Sequence, residues 1–250
     1  MIKNILKVEF KKIFEPIKVF SLLAGLVLLI LLTSVIIFTS SFTEVNNQNQ
    51  FISFLILNLS FGLMHIILPI ITIFLSSYIF ASEFSSGAIQ KTLLCGIKRD
   101  NLYLSKFIWV QLLILSLTLI IILSLTIIAV YRYGDFSVIF TKQYTEIFCL
   151  YILSGLSCTP IALITVLFSF LFENSEQTVL CSFVFFCISQ SFDMLYSGNH
   201  YSPTSMLNLI GNTNSISLNR LIFGVAMLLC YFIVFNTVNL SIFKKKDIWN

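Results

Sequence analysis

The sequence predicts an all-α protein that crosses a membrane six times, and three observations carry that expectation. Of its 250 residues, 58% are hydrophobic and 10% are charged, against about 25% charged in ordinary soluble domains. Mean hydropathy is +0.97, and the 26 Phe suit a chain whose main solvent is lipid. Third, the charges lie at the edges of long uncharged stretches. No charge falls between Lys18 and Glu44, Glu44 and Glu83, Lys106 and Arg132, Glu146 and Glu173, Glu176 and Asp193, or Arg220 and Lys244. One Lys, Arg or Asp at the centre of a spanning helix costs about 2.5–3.5 kcal/mol on insertion, and a span needs about 20 mostly apolar residues. This composition argues against a soluble enzyme, a nucleic-acid binder and a secreted disulfide scaffold.

The six spans are expected near 18–40, 54–80, 107–131, 146–171, 178–197 and 220–243. The fifth gap is short and borrows residues up to Tyr196. The first apolar stretch is too long for a signal-peptide core and no Ala-x-Ala site follows it, so it is read as a permanent span.

Before that span, residues 1–16 form a distinct element. Ile2, Ile5, Leu6, Phe10 and Ile13 recur at helical spacing, and Lys3, Lys7 and Lys11 form a stripe on another face. That pattern fits an amphipathic helix lying in the membrane interface with its lysines on anionic headgroups. Pro16 bends the chain into span one. The alternative is a basic flank that only fixes topology. Residues 41–50 are a short polar outer loop. Span two carries His65 and Pro69. His65 is an intramembrane functional candidate, weighed against a neutral side chain bonded to a neighbouring helix. Pro69 and Pro160 mark expected kinks. Residues 132–145 make a second short outer loop, and 198–219 the largest one, a single membrane domain covering 1–250. The stretch 206–210 is able to dip back into the interface.

Counting cations sets the orientation. Lys3, Lys7, Lys11, Lys12, Lys18, Lys91, Lys98, Arg99, Lys106, Lys244, Lys245 and Lys246 fall on one side, twelve of the 15; Arg132, Lys142 and Arg220 fall opposite. By the positive-inside rule both termini are cytoplasmic. The net charge of +4 thus reflects topology, not nucleic-acid affinity. The six cysteines form no CxxC pair and read as small apolar packing residues.

Several chemistries have no sequence support. There is no GxxxxGK[ST] phosphate cradle and no HExxH; His65 and His200 are the only histidines. No catalytic residue and no metal site is expected. Glu146 and Asp193 sit near outer span ends, where solvation explains them. The spans show few polar residues and no charged channel.

The informative segment is 81–106, ASEFSSGAIQKTLLCGIKRDNLYLSK. Glu83 ends span two. Ser85 or Ser86 caps a short helix through 88–95, Gly96 stops it, and Leu93 and Leu94 give it an apolar patch. Such an element at the cytoplasmic face suits docking into a groove on a soluble partner; the bland alternative is a topology loop touching lipid. Glu83 is expected to pair with Arg99 or Lys106, with a solvated anchor charge as the alternative.

Glu83, Gly87, Leu93, Leu94, Arg99 and Lys106, in that order and spacing, resemble the pattern after the second span of ABC-2-type permeases, the membrane subunits of type V ABC transporters. Gly96-Ile97-Lys98 stands where that family often has a small polar residue or Pro before the Arg. The tail 243–248 (FKKKDI) resembles the family's ending. The resemblance implies a dimer of permeases, identical or related, above a dimer of separate ATPase subunits. ATP and Mg are then bound by the ATPases and no cofactor by this chain. It makes 83–99 the coupling helix, with the 172–177 loop, carrying Glu173 and Glu176, as a smaller contact. Small permeases rich in Ile, Leu, Phe and Lys resemble the lantibiotic and bacitracin self-protection systems of Gram-positive bacteria, which implies a bacterial cell-membrane protein and a hydrophobic or amphipathic peptide as cargo. An ABC-2 permease for lipid, glycan precursor or drug stays open, as does a scaffold or sensor without transport.

Overall fold

The computed structural model describes residues 63–133, 139, 141–172, 174–195, 202–204, 207 and 218–246. The expected interfacial helix, span one, the 41–50 loop, Glu173 and most of the outer loops lie outside the described residues. Among the described residues every regular element is helical. A π-helical turn, Leu63–Ile67, leads into α1, Leu68–Ser85; α2 is Ala88–Leu94, α3 Arg99–Tyr133, α4 Lys142–Ser157, α5 Thr159–Phe172, α6 Ser175–Leu195 and α7 Leu218–Lys245. Among the described residues, four stretches are long and apolar enough to cross a membrane: His65–Ser85, Arg99–Ile128, Lys142–Phe172 and Ile222–Lys245. The expected fifth span forms α6, a 21-residue helix.

The wide turn before α1 has a local cause. Pro69 offers no N–H to the carbonyl four residues back, which belongs to His65, and the backbone opens into a looser turn there. The expected fourth span is made of two helical pieces joined by one turn. It starts earlier than expected, at Lys142, where the Thr141 hydroxyl accepts from the Tyr144 N–H at 3.3 Å. It then stops at Cys158 and restarts at Thr159. Pro160 thus sits in the first turn of a new helix, where its missing N–H costs nothing. Helix α3 is also longer than expected. Its 35 residues span about 52 Å, more than a bilayer core, because it already begins at Arg99.

Helix α5 is the central post. Every residue from Pro160 to Val166 is buried, and α1, α6 and α7 pack around it. A helix apolar on all sides belongs in such a position. Polar side chains are more frequent in this interior than the sequence led us to expect. Thr72, Ser76, Ser154, Ser157, Thr165, Ser169, Thr178 and Ser182 are buried. Each bonds a carbonyl three or four residues earlier in its own helix or the turn before it. That satisfies the hydroxyls where water is absent. Helices α3 and α4 approach closely at Gly155, where an added Cβ would lie 2.5 Å from Thr118 Cγ2.

Helix α1, the α4–α5 pair and α7 run one way, and α3 and α6 run the other. The last turns of α1, α5 and α7 and the first turns of α3 and α6 meet at one end of the bundle. There Phe80, Phe84, Tyr103, Phe107, Phe170 and Phe243 meet in one cluster, mostly edge-to-face or tilted, with ring centroids 5.4–6.4 Å apart. The seven cations of 81–106 and 244–246 all belong to this basic end.

Candidate coupling site at the basic end

Helix α2 is bounded by two glycines in left-handed conformation, Gly87 at φ 66° and Gly96 at φ 78°. An L side chain there costs roughly 1–2 kcal/mol, which gives a physical reason for Gly at both places. The expected caps do not form. The Ser85 and Ser86 hydroxyls donate back to the carbonyls of Ser82 (2.9 Å) and Glu83 (3.5 Å). They finish α1, and Gly87 takes the cap position of α2. The expected apolar patch is also divided. Ile89 is buried and Leu93 packs on the core, whereas Leu94 stands 70% exposed.

Of the two cations offered to Glu83, Lys106 takes it. Lys106 Nζ lies 2.6 Å from Glu83 Oε2, with 2% of the lysine and 18% of the glutamate side chain exposed. The same ammonium donates to the Ile79 carbonyl at 3.4 Å. This pair ties α1 to α3 on either side of α2. Removing one partner of such a buried pair costs about 3–5 kcal/mol.

Arg99 is turned elsewhere. Its Nη1 donates to the carbonyls of Lys244 (2.8 Å), Lys246 (2.9 Å) and Phe243 (3.3 Å). These lie at the end of α7, where helix carbonyls lack intrahelical donors and the dipole is negative. Next to it, Asp100 pairs with Lys244 at 3.0 Å. Lys246 sits 4.9 Å from the centre of the Phe84 ring and donates to the Phe170 carbonyl.

The second expected contact reaches the same end. The Ser77 hydroxyl donates to the Ser175 carbonyl at 3.0 Å, binding the start of α6 to α1. Glu176 is exposed in the first turn of α6, and its N–H donates to Asn174 Oδ1 at 3.3 Å. His65 is not part of this assembly. It is half-buried in the π-helical turn at the far end of α1, about 27 Å of helix from Glu83.

At the opposite end a site appears that the sequence reading missed. Asp193 is buried, not solvated, with 8% of its surface exposed. It accepts from Ser202 Oγ and Thr204 Oγ1, both at 2.5 Å. Ser189 Oγ lies 2.7 Å from Thr204 Oγ1, and Leu207, in the 206–210 stretch, is buried. Glu146 is solvated, 64% exposed and 3.9 Å from Lys142. Among the described residues no group of three His, Cys, Asp or Glu could hold a metal.

The antiparallel apolar bundle, with a short helix at its basic end, defines a polytopic membrane protein. The sequence profile described as ABC-2 family transporter protein matches residues 5–190, most of the chain, and the chain belongs to that family. It is therefore a membrane permease subunit of an ABC transporter, and it works with an ABC ATPase subunit. No curated protein matches the sequence.

Proposed function

We propose that this chain is one half of an ATP-driven exporter that removes a membrane-active, amphipathic peptide from the bilayer of a bacterial cell. In this reading the basic end faces the cytoplasm, as the positive-inside rule requires, and the chain crosses six times. Two permeases, identical or related, stand above two ATPases that bind ATP and Mg. Helix α2 is the coupling helix, and Leu94 is its contact into the ATPase. The loop before α6 makes the smaller contact.

The observation that carries the reading is the construction around α2. An exposed leucine stands on a seven-residue helix. The two spans flanking that helix are joined by a buried ion pair. A load applied at Leu94 thus acts on α1 and α3 together. The peptide cargo draws support from the spans, whose interior polar groups are mostly small hydroxyls bonded to their own backbone. Such walls suit a cargo that brings its own apolar surface.

Affinity purification of the full chain in mild detergent tests the assembly. The wild type retains an ABC ATPase, and Leu94→Glu loses at least nine-tenths of it while keeping its own yield. Retention of the ATPase by Leu94→Glu overturns the assignment of α2. Deleting the gene is expected to sensitise the cell to cationic amphipathic peptides at least fourfold. Unchanged sensitivity refutes the cargo and leaves the permease standing.

A further inference from the structure

Helix α7 is held unevenly. Its outward residues Ile222, Leu229, Ile233 and Val234 are exposed, whereas Asn239 and Phe243 near its end are fully enclosed. The Asn239 amide donates to the Leu163 carbonyl of α5 at 3.0 Å. Just beyond, Arg99 gathers three carbonyls at 2.8–3.3 Å, Asp100 holds Lys244, and Lys246 lies across Phe84 and the end of α5. Residues 243–246 are thereby sewn to the ends of α1 and α5 and to the start of α3. Arg99 is the centre of this arrangement. It is three residues past Gly96 and opens α3, so it moves with whatever moves α2.

We infer that Arg99 is a positioning residue that straps the last span to the coupling segment, so that displacement of α2 is delivered to α7. The inference rests on the proposed role of α2 as the element pushed by the ATPase. The Glu83–Lys106 pair joins only the two spans beside α2, whereas Arg99 extends the connection to a helix 144 residues away in sequence. The guanidinium places only two Nη1 hydrogens against three acceptors, so one contact is shared. A charged donor at the negative end of a helix is the chemistry such a strap requires.

Limited trypsin digestion of the full chain in nanodiscs tests the strap without reference to any partner. Cleavage at 244–246 is followed by mass spectrometry. Arg99→Ala is expected to cleave there at least tenfold faster than wild type. Arg99→Lys, which keeps a charged donor, falls between the two. Lys98→Ala, an exposed neighbouring cation, matches wild type. An Arg99→Ala rate within twofold of wild type overturns the proposal, as does an equal effect of Lys98→Ala. A second arm uses nanodiscs that also carry the ATPase, with ATP and vanadate. In wild type, cleavage at Lys91 and at 244–246 is expected to change together, and in Arg99→Ala only at Lys91. A wild-type response at Lys91 without one at 244–246 overturns the strap. No response at Lys91 refutes the ATPase-docking reading instead, and the first arm then decides the strap alone.

Discussion

The two ends of the bundle are fastened by different chemistry. At the basic end, ion pairs, a guanidinium on backbone carbonyls and six clustered aromatic rings bind helices distant in sequence. At the far end, one carboxylate collects hydroxyls from a segment 9–11 residues further on. The first arrangement links four helices into one block; the second holds Ser202 and Thr204 against a helix close to them in sequence. Charge-assisted contacts shared among several helices resist separation in any direction. A local clasp resists only the lifting of one loop. Contacts that join several helices are therefore concentrated at the basic end.

The contrast would break first at Glu83. Glu83→Ala leaves Lys106 enclosed without its partner and is expected to cost about 3–5 kcal/mol, measured by reversible unfolding in mixed micelles. The double variant Glu83→Ala/Lys106→Met should recover most of that loss. In transport assays Glu83→Ala should hydrolyse ATP with little transport while still retaining the ATPase. A cost below about 1 kcal/mol would mark the pair as a solvated surface pair.

Asp193→Ala is expected to cost about 2–3 kcal/mol, since hydroxyls lose a charged acceptor. Hydrogen exchange should rise at 202–207 and stay unchanged at 243–246. A rise at both would mean the two ends are not independent. Between them, Gly155→Ala forces a methyl against Thr118 and should cost about 1–2 kcal/mol; Thr118→Ser, which removes the clashing methyl, should relieve it. Smallest is Leu94→Ala, expected to change stability by less than about 0.5 kcal/mol while weakening ATPase retention several-fold in pull-down.

What the sequence disclosed follows from the size of the energies involved. A charge inside a bilayer is costly enough that the empty intervals between charges outline long apolar helices: α3 and α7 contain the spans expected at 107–131 and 220–243, and α1 covers 68–80 of the second. Gly96 as a stop was legible because positive φ selects glycine. The acceptors of Arg99 were not, because carbonyls 144 residues away carry no side-chain signature. The aromatic cluster was hidden among 26 phenylalanines, of which five meet at one end. Asp193 was misjudged because its position near a helix end says nothing about the loop that closes over it. The divided leucines of α2 depend on its rotation about its own axis, which seven residues do not fix by periodicity alone.

The junction at Cys158 has a mechanical meaning. A continuous helix behaves as a stiff rod and carries bending from one face of the membrane to the other. Here two helical pieces meet at Cys158, whose backbone stays in the right-handed helical region and whose N–H donates to the Gly155 carbonyl at 3.2 Å, so one turn is locally tightened. The piece Thr159–Phe172 reaches the aromatic cluster through Phe170 near its end, and the piece Lys142–Ser157 leans on Thr118 through Gly155. Such a tightened turn is where the Thr159–Phe172 half bends most easily relative to the Lys142–Ser157 half, which keeps its bearing against α3.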